Sequence, residues 1–249
     1  ITQLTLGKNF IFDFNTITKE YDGNNNVAHT DANGTYHSSE GYINQHFVDI
    51  NGNGVYDSGD ILLSGITAKS ATYNSADSNN STVQPVTYTL NFGKIGNYNI
   101  TSGSTWSNNG TTLTYNGSTF TATTTGTITP RKVVATPAGT ITKTYDGTKN
   151  LPSTAGTLIN YTHYVSPGVA SGTGLVGSGD ADASTGAFTQ TDAGSGANLV
   201  QYNLAINNAG NYEIVDSNGN KATTVTGAGT INKRNLVINF GKTVKTWDG

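Results

Sequence analysis

The sequence predicts an all-β fold: tandem Ig-like β-sandwich repeats in an elongated rod, with the first strand of a third repeat at the C-terminus. Three observations carry this expectation. Apolar and polar residues alternate with a period of two, Gly and Asn/Asp turns punctuate the chain, and one ordered set of short landmarks occurs twice. Helical spacing of apolar residues is rare and Thr and Gly are abundant, which disfavours helices.

The alternation is clearest before two matching Gly-Asn-Tyr segments. Val86, Tyr88, Leu90 and Phe92 alternate with Thr87, Thr89 and Asn91, and the run ends at Gly96-Asn97-Tyr98. Val200, Tyr202, Leu204 and Ile206 alternate with Gln201, Asn203 and Ala205, and end at Gly210-Asn211-Tyr212, an offset of 114. Period-two alternation suits a strand with one buried face. Only 12% of residues are charged and 34% are apolar, a balance that resembles disorder. The 13 Tyr, 8 Phe and 2 Trp in alternating patterns argue instead for thin β-structure with a polar outer face.

A second landmark enters each copy: Ile17-Thr18-Lys19-Glu20-Tyr21-Asp22-Gly23, Ile141-Thr142-Lys143-Thr144-Tyr145-Asp146-Gly147, and Thr243-Val244-Lys245-Thr246-Trp247-Asp248-Gly249. Asp-Gly is a turn signal, and the aromatic before it packs inward. A third landmark closes each copy, Gly126-Thr127-Ile128 against Gly229-Thr230-Ile231. Ile1-Thr2 resembles the Ile128-Thr129 and Ile231-Asn232 entries into a new copy. The frame is therefore 1–130, 131–234 and an opening third copy at 235–249. The first copy carries extra length, read as loops. A frame of ~100 residues matches sandwich modules and is too long for the rungs of a parallel β-helix. Without methionine, residue 1 reads as an internal position of a longer chain.

Together with a mid-copy Gly-Asp (Gly59-Asp60, Gly179-Asp180), this ordered set resembles the YDG repeat family of large exported bacterial adhesins of the filamentous-haemagglutinin type. The resemblance covers essentially the whole chain, with Trp247 as the departure. It implies a passive stalk, a secreted or cell-surface location and no catalysis.

One loop carries separate chemistry. Asp49-Ile50-Asn51-Gly52-Asn53-Gly54-Val55-Tyr56-Asp57-Ser58-Gly59-Asp60 fits the calcium-loop template, with Asp49, Asn51, Asn53, the Val55 carbonyl, Asp57 and Asp60 as ligands and Gly54 at the sharp turn. Calcium takes six to eight oxygens, and alternate positions point inward. The final Asp, and flanks that read as strand and loop, suggest a fixed structural Ca²⁺; the rival reading is a plain polar turn. From Glu20 to Ala68 there are seven acids and no Lys or Arg, so the loop's carboxylates repel unless a cation lies between them. Asp216-Ser217-Asn218-Gly219-Asn220 has half the template and reads as a hairpin turn.

The remaining candidates are weaker. His29, His37, His46 and His163 fit no metal spacing and read as surface residues. Lys19, Lys143 and Lys245 recur in register, either on solvent-facing strand edges or as partners of Lys–Asn cross-links. A net charge of −3 offers no nucleic-acid footprint, and there is no apolar run of membrane-helix length. Absence of cysteine excludes disulfides and thiol catalysis. The expected partners are neighbouring repeats of the same chain. Alternatives are a calcium-assisted module binding a host or bacterial glycan or protein, with Tyr36, Tyr42 and Trp106 stacking on sugar, and a self-associating filament subunit in which 235–249 completes a neighbour's sheet.

Overall fold

A computed structural model describes residues 3–248, so Ile1, Thr2 and Gly249, used above in two landmarks, lie outside the described residues. The strands are β1 (Leu4–Thr5), β2 (Phe10–Phe14), β3 (Ile17–Glu20), β4 (His29–Thr30), β5 (Tyr36–His37), β6 (Ile43–Val48), β7 (Ile61–Leu62), β8 (Ile66–Tyr73), β9 (Val83–Phe92), β10 (Tyr98–Asn99) and β11 (Ser104–Asn108). They continue with β12 (Thr111–Tyr115), β13 (Phe120–Thr129), β14 (Arg131–Pro137), β15 (Ile141–Thr144), β16 (Ile159–Ser166), β17 (Val169–Thr173), β18 (Thr185–Phe188), β19 (Gly194–Asn203), β20 (Tyr212–Val215) and β21 (Thr224–Asn232). Only short 3-10 turns interrupt them among the described residues, so the chain is all-β with several sheets.

Contacts divide the chain into two compact units. The first comprises everything up to Val134 with Tyr161–Ala181 and Ile206–Lys221; the second comprises Ala135–Asn160, Asp182–Ala205 and the chain from Ala222. Membership thus crosses the sequence boundary near 130. The reason is a set of side-chain contacts that ties residues 20–23 and 77–80 to 131, 163, 176–180 and 208–212, described below.

In the first unit the main sheet runs β11-β12-β13-β9-β8, with β3 parallel on β13. Neighbours along the main path are antiparallel, which is incompatible with a parallel β-helix. The inward side chains are those the alternation marked: Val86, Tyr88 and Leu90 are buried, together with Phe10, Phe12, Trp106, Leu113, Phe120 and Ile128. Phe10 meets Phe120 and Trp106 at ring distances of 5.8 and 6.3 Å. Such aromatics supply much of the apolar burial available to a chain so rich in Thr and Asn.

In the second unit β15-β21-β19-β18 form one sheet. Its buried face holds Ile141, Phe188, Val200, Tyr202 and Ile231. The pairing plan repeats that of the first unit. Ile17 faces Gly126 and Lys19 faces Ile128 in parallel register; Ile141 faces Gly229 and Lys143 faces Ile231 in the same register. β13 then pairs antiparallel with β9, and β21 with β19. β1 runs parallel to β10 at Tyr98, and β14 runs parallel to β20 at Tyr212.

The glycine of each Gly-Thr-Ile landmark has a packing reason. A Cβ on Gly126 would lie 2.9 Å from both Tyr73 and Val86, and one on Gly229 would lie 2.8 Å from Val200 and 2.9 Å from Phe188. These are backbone approaches that only glycine permits.

The expected strand of a third copy is absent. Residues 233–248 contain no strand, and Leu236, Val237, Ile238 and Phe240 are exposed. A strand needs a hydrogen-bonding neighbour: β14, which occupies the matching place in copy two, lies between β16 and β20, and the tail has no such pair of neighbours.

Candidate functional site

The acidic loop 49–60 leaves β6 and returns to β7. Asp49 is buried, and its two carboxylate oxygens accept from Gly52 N (2.6 Å) and Gly54 N (2.7 Å). Asp60 accepts from Ile50 N and Asp57 N, both at 2.9 Å, closing the loop end to end. Asp57 accepts from the side-chain amides of Asn51 and Asn53, while the amide oxygens of those two residues accept from Asn53 N and Val55 N. Gly52 and Gly54 have φ of +78° and +77°, which lets successive N–H groups face the acids.

Asp49, Asn51, Asn53, Asp57 and Asp60 belong to one network, and Val55 lies on the same loop. Yet among the described residues no three His, Cys, Asp or Glu side chains meet closely enough to hold an ion. The Asn amides present N–H rather than oxygen to Asp57. The surroundings are also less bare of cations than the sequence suggested: exposed Lys8 lines the groove over Asp49, Gly52 and Asn53.

Asp216 accepts from Asn218 N and Asn220 N, and Val215 bridges Lys221, so this segment is the expected hairpin turn.

Lys19 and Lys143 are not on solvent-facing edges, whereas Lys245 is exposed, with Nζ 3.4 Å from Asp248 Oδ1. Lys19 is buried, and its Nζ donates to Asp22 Oδ1 (2.7 Å), Asn24 O (2.8 Å) and Asn24 Oδ1 (3.3 Å). Lys143 is buried too and donates to Asp146 Oδ1 (2.8 Å), Thr148 O (2.6 Å) and Asn150 O (3.1 Å). In each copy the lysine reaches along its strand and holds the Asp-Gly turn from beneath. The Asn150 contact of Lys143 is to the backbone carbonyl, not to the side-chain amide. The Lys143 hydrogen bond, first among several, holds the Asp146 carboxyl down to about 2.

Sequence reasoning missed a second cluster, within the first unit. Asp180 Oδ2 accepts from Tyr212 Oη (2.5 Å), Gly177 N (2.7 Å) and Tyr21 Oη (3.3 Å), and Oδ1 accepts from Asn208 Nδ2 (2.7 Å). The rings of Tyr21 and Tyr212 meet edge to face at 5.4 Å. Burial works to raise the Asp180 carboxyl, but the four donors outweigh it and hold the group below its usual range. Burial pushes the Tyr21 phenol up to about 12. Beside them Asn211 Oδ1 accepts from Ser78 N, Asn211 Nδ2 donates to Asp77, and Gly210 O accepts from Ser78 Oγ and Asn80 N. Three landmarks thus converge here: aromatic-Asp-Gly from copy one, with Gly-Asp and Gly-Asn-Tyr from copy two. Their shared order was the available signal, since motifs repeated in register imply partners repeated in register.

No match to this chain is found among protein-family models, curated proteins or solved structures. Its chemistry rests on the geometry alone.

Two of the four histidines also differ from expectation. His163 is buried with Nε2 2.5 Å from Glu20 Oε1, and Arg131 Nη1 lies 3.5 Å from the same oxygen. His46 stacks on Phe12 at 5.3 Å. Burial pushes Glu20 up to about 7 against the pull of Arg131, while burial and Arg131 push His163 down to about 4.

The two groups act oppositely on stability. Between its ordinary 4.5 and about 7, Glu20 keeps a proton in the folded chain that the unfolded chain has lost, so its contribution falls as pH rises. His163 does the reverse between about 4 and its ordinary 6.5. Glu20→Gln removes the first effect and keeps the His163 imidazole in place. The stability of the parent relative to this variant is expected to fall by about 1–2 kcal/mol from pH 5 to pH 8, discounted for partial solvent access. Urea unfolding at the two pH values measures it, and a constant difference would show that Glu20 titrates as an ordinary carboxyl.

The aromatics suggested for sugar stacking divide. Trp106 is buried, with Nε1 donating to Phe10 O (3.4 Å), and Tyr42 donates to Thr18 O (2.9 Å). Tyr36 remains exposed beside a groove that includes Ser38, Glu40 and Lys69.

Proposed function

We propose that this chain is a structural stalk segment of a secreted bacterial surface adhesin, built from Ig-like β-sandwich repeats laid end to end in an elongated rod and stiffened by calcium at Asp49–Asp60. The observation that carries the reading is the Tyr21–Asp180–Tyr212 cluster, which binds residues of both sequence copies into one compact unit. The doubled pairing plan supports it. So does the use made of the landmark side chains: Lys19, Asp22, Asp180 and Tyr212 are engaged in hydrogen bonds that hold backbone turns and one another. Small-angle scattering tests the rod: a stiff particle with one long dimension is expected, and two freely tumbling halves would refute it.

Bound at this loop, calcium would be held by Asp49, Asn51, Asn53, the Val55 carbonyl, Asp57 and Asp60, and would offset the repulsion among the three carboxylates. Bound calcium is expected to stabilise the first unit by about 2–3 kcal/mol at a concentration of one hundred times Kd. Differential scanning calorimetry with calcium and with chelator reads this, and identical curves would retire the metal.

A further inference from the structure

The two aromatic-Asp-Gly turns are built alike but end differently. Tyr21 N donates to Thr129 O at 2.9 Å, and Tyr145 N donates to Asn232 O at 2.8 Å. Beneath them Lys19 and Lys143 grip Asp22 and Asp146 at 2.7 and 2.8 Å. Tyr21 is 4% exposed, with its hydroxyl on Asp180, whereas Tyr145 is 40% exposed. The glycines tell the same story. A Cβ on Gly23 would lie 2.8 Å from Val176 O, but one on Gly147 would meet nothing within 4 Å. Both have positive φ, +82° and +76°, so the turn alone accounts for the glycine at 147; at 23 a close backbone approach is added.

We propose that Tyr145 and the Asp146-Gly147 turn form a docking surface for a further β-repeat. That repeat would present an aspartate carboxylate beside a tyrosine hydroxyl, as Asp180 and Tyr212 do for Tyr21. The inference rests on the repeat reading above and adds the chemistry of the joint. The phenol of Tyr145 donates to the incoming carboxylate, its ring edge meets the incoming tyrosine, and the bare Gly147 admits a backbone carbonyl. Thr144 stands where Glu20 pairs with Arg131 and His163, so the second joint lacks that acid and is insensitive to the protonation of a histidine there.

The test is an extended chain in which residues 131–249 follow Lys233, giving Tyr145 an added repeat. Tyrosine nitration followed by peptide mass reads exposure. Tyr145 is expected to be nitrated readily in the parent chain and to be protected about tenfold in the extended one. Asp180→Ala in the added repeat is expected to restore nitration. If the added repeat shows protected backbone amides and Tyr145 still reacts as in the parent, the joint is refuted while the repeat reading stands. If the added repeat shows no protected amides, the repeat reading fails and the joint with it. Protection of Tyr145 in the parent that grows with protein concentration would assign the surface to self-association and overturn the proposal.

Discussion

Gly177→Ala is expected to cost the first unit about 3–4 kcal/mol, because the new methyl occupies the space of the Tyr21 hydroxyl and the Asp180 carboxylate. Neither group can step aside cheaply. Asp180 is held by Tyr212, Asn208 and the Gly177 N–H itself, and Tyr21 is packed edge-on against Tyr212. Moving the carboxylate strands the hydroxyls of buried Tyr21 and Tyr212 together, each costing about 1–3 kcal/mol when unpaired. Gly179→Ala is the control. Gly179 has φ of +85° but nothing within 4 Å of a Cβ, so its loss is limited to backbone strain of about 1 kcal/mol. Urea unfolding of both variants decides the matter; a larger loss at Gly179 than at Gly177 would show that the cluster contributes little.

Lys19→Met is expected to be the next most damaging change, at about 2–4 kcal/mol. The side chain has no solvent exposure, and its ammonium is the cation beside Asp22 and a donor to the Asn24 carbonyl. Methionine fills the volume but leaves both acceptors without that donor. Burial already pulls the Lys19 ammonium below its ordinary range, partly offset by the hydrogen bond and charge of Asp22. Lys143→Met is expected to cost less, because Asp146 is 48% exposed where Asp22 is 25% exposed, so water takes over from the lost cation. Equal losses at the two lysines, measured by denaturant unfolding, would show that solvent access to the acid does not set the cost.

The strands that alternate with period two were legible in the sequence because that pattern reports directly which face is buried. Val86, Tyr88 and Leu90, like Val200 and Tyr202, point inward as read. The landmarks were legible as repeated motifs, but their pairing was not: that Ile17 lies parallel on Gly126, and Ile141 on Gly229, appears only in the fold. Lys19 and Lys143 were misread because strand position alone gives the side a residue faces, and a long chain can carry its charge back under the turn that follows. Asp180 was passed over because its partners are 159 and 32 residues away, a distance no local pattern spans. Trp106, a sugar-stacking candidate in one alternative reading, lies instead in the aromatic core with Phe10 and Phe120. The acidic loop was recognised from spacing alone, and spacing does not determine which way Asn51 and Asn53 turn their amides.

The parallel pairing of β3 with β13, and of β15 with β21, has a mechanical consequence. In each case an early strand of the copy lies beside a closing strand that runs the same way, so a pull on the two ends of the copy would draw the paired strands in opposite senses along their length. Tension applied along the chain loads such a pair in shear, so its bonds resist together instead of parting one by one as a hairpin does when peeled from its end. Under tension, a chain without a single cysteine would be held by hydrogen-bonded strand pairs of this kind rather than by covalent cross-links.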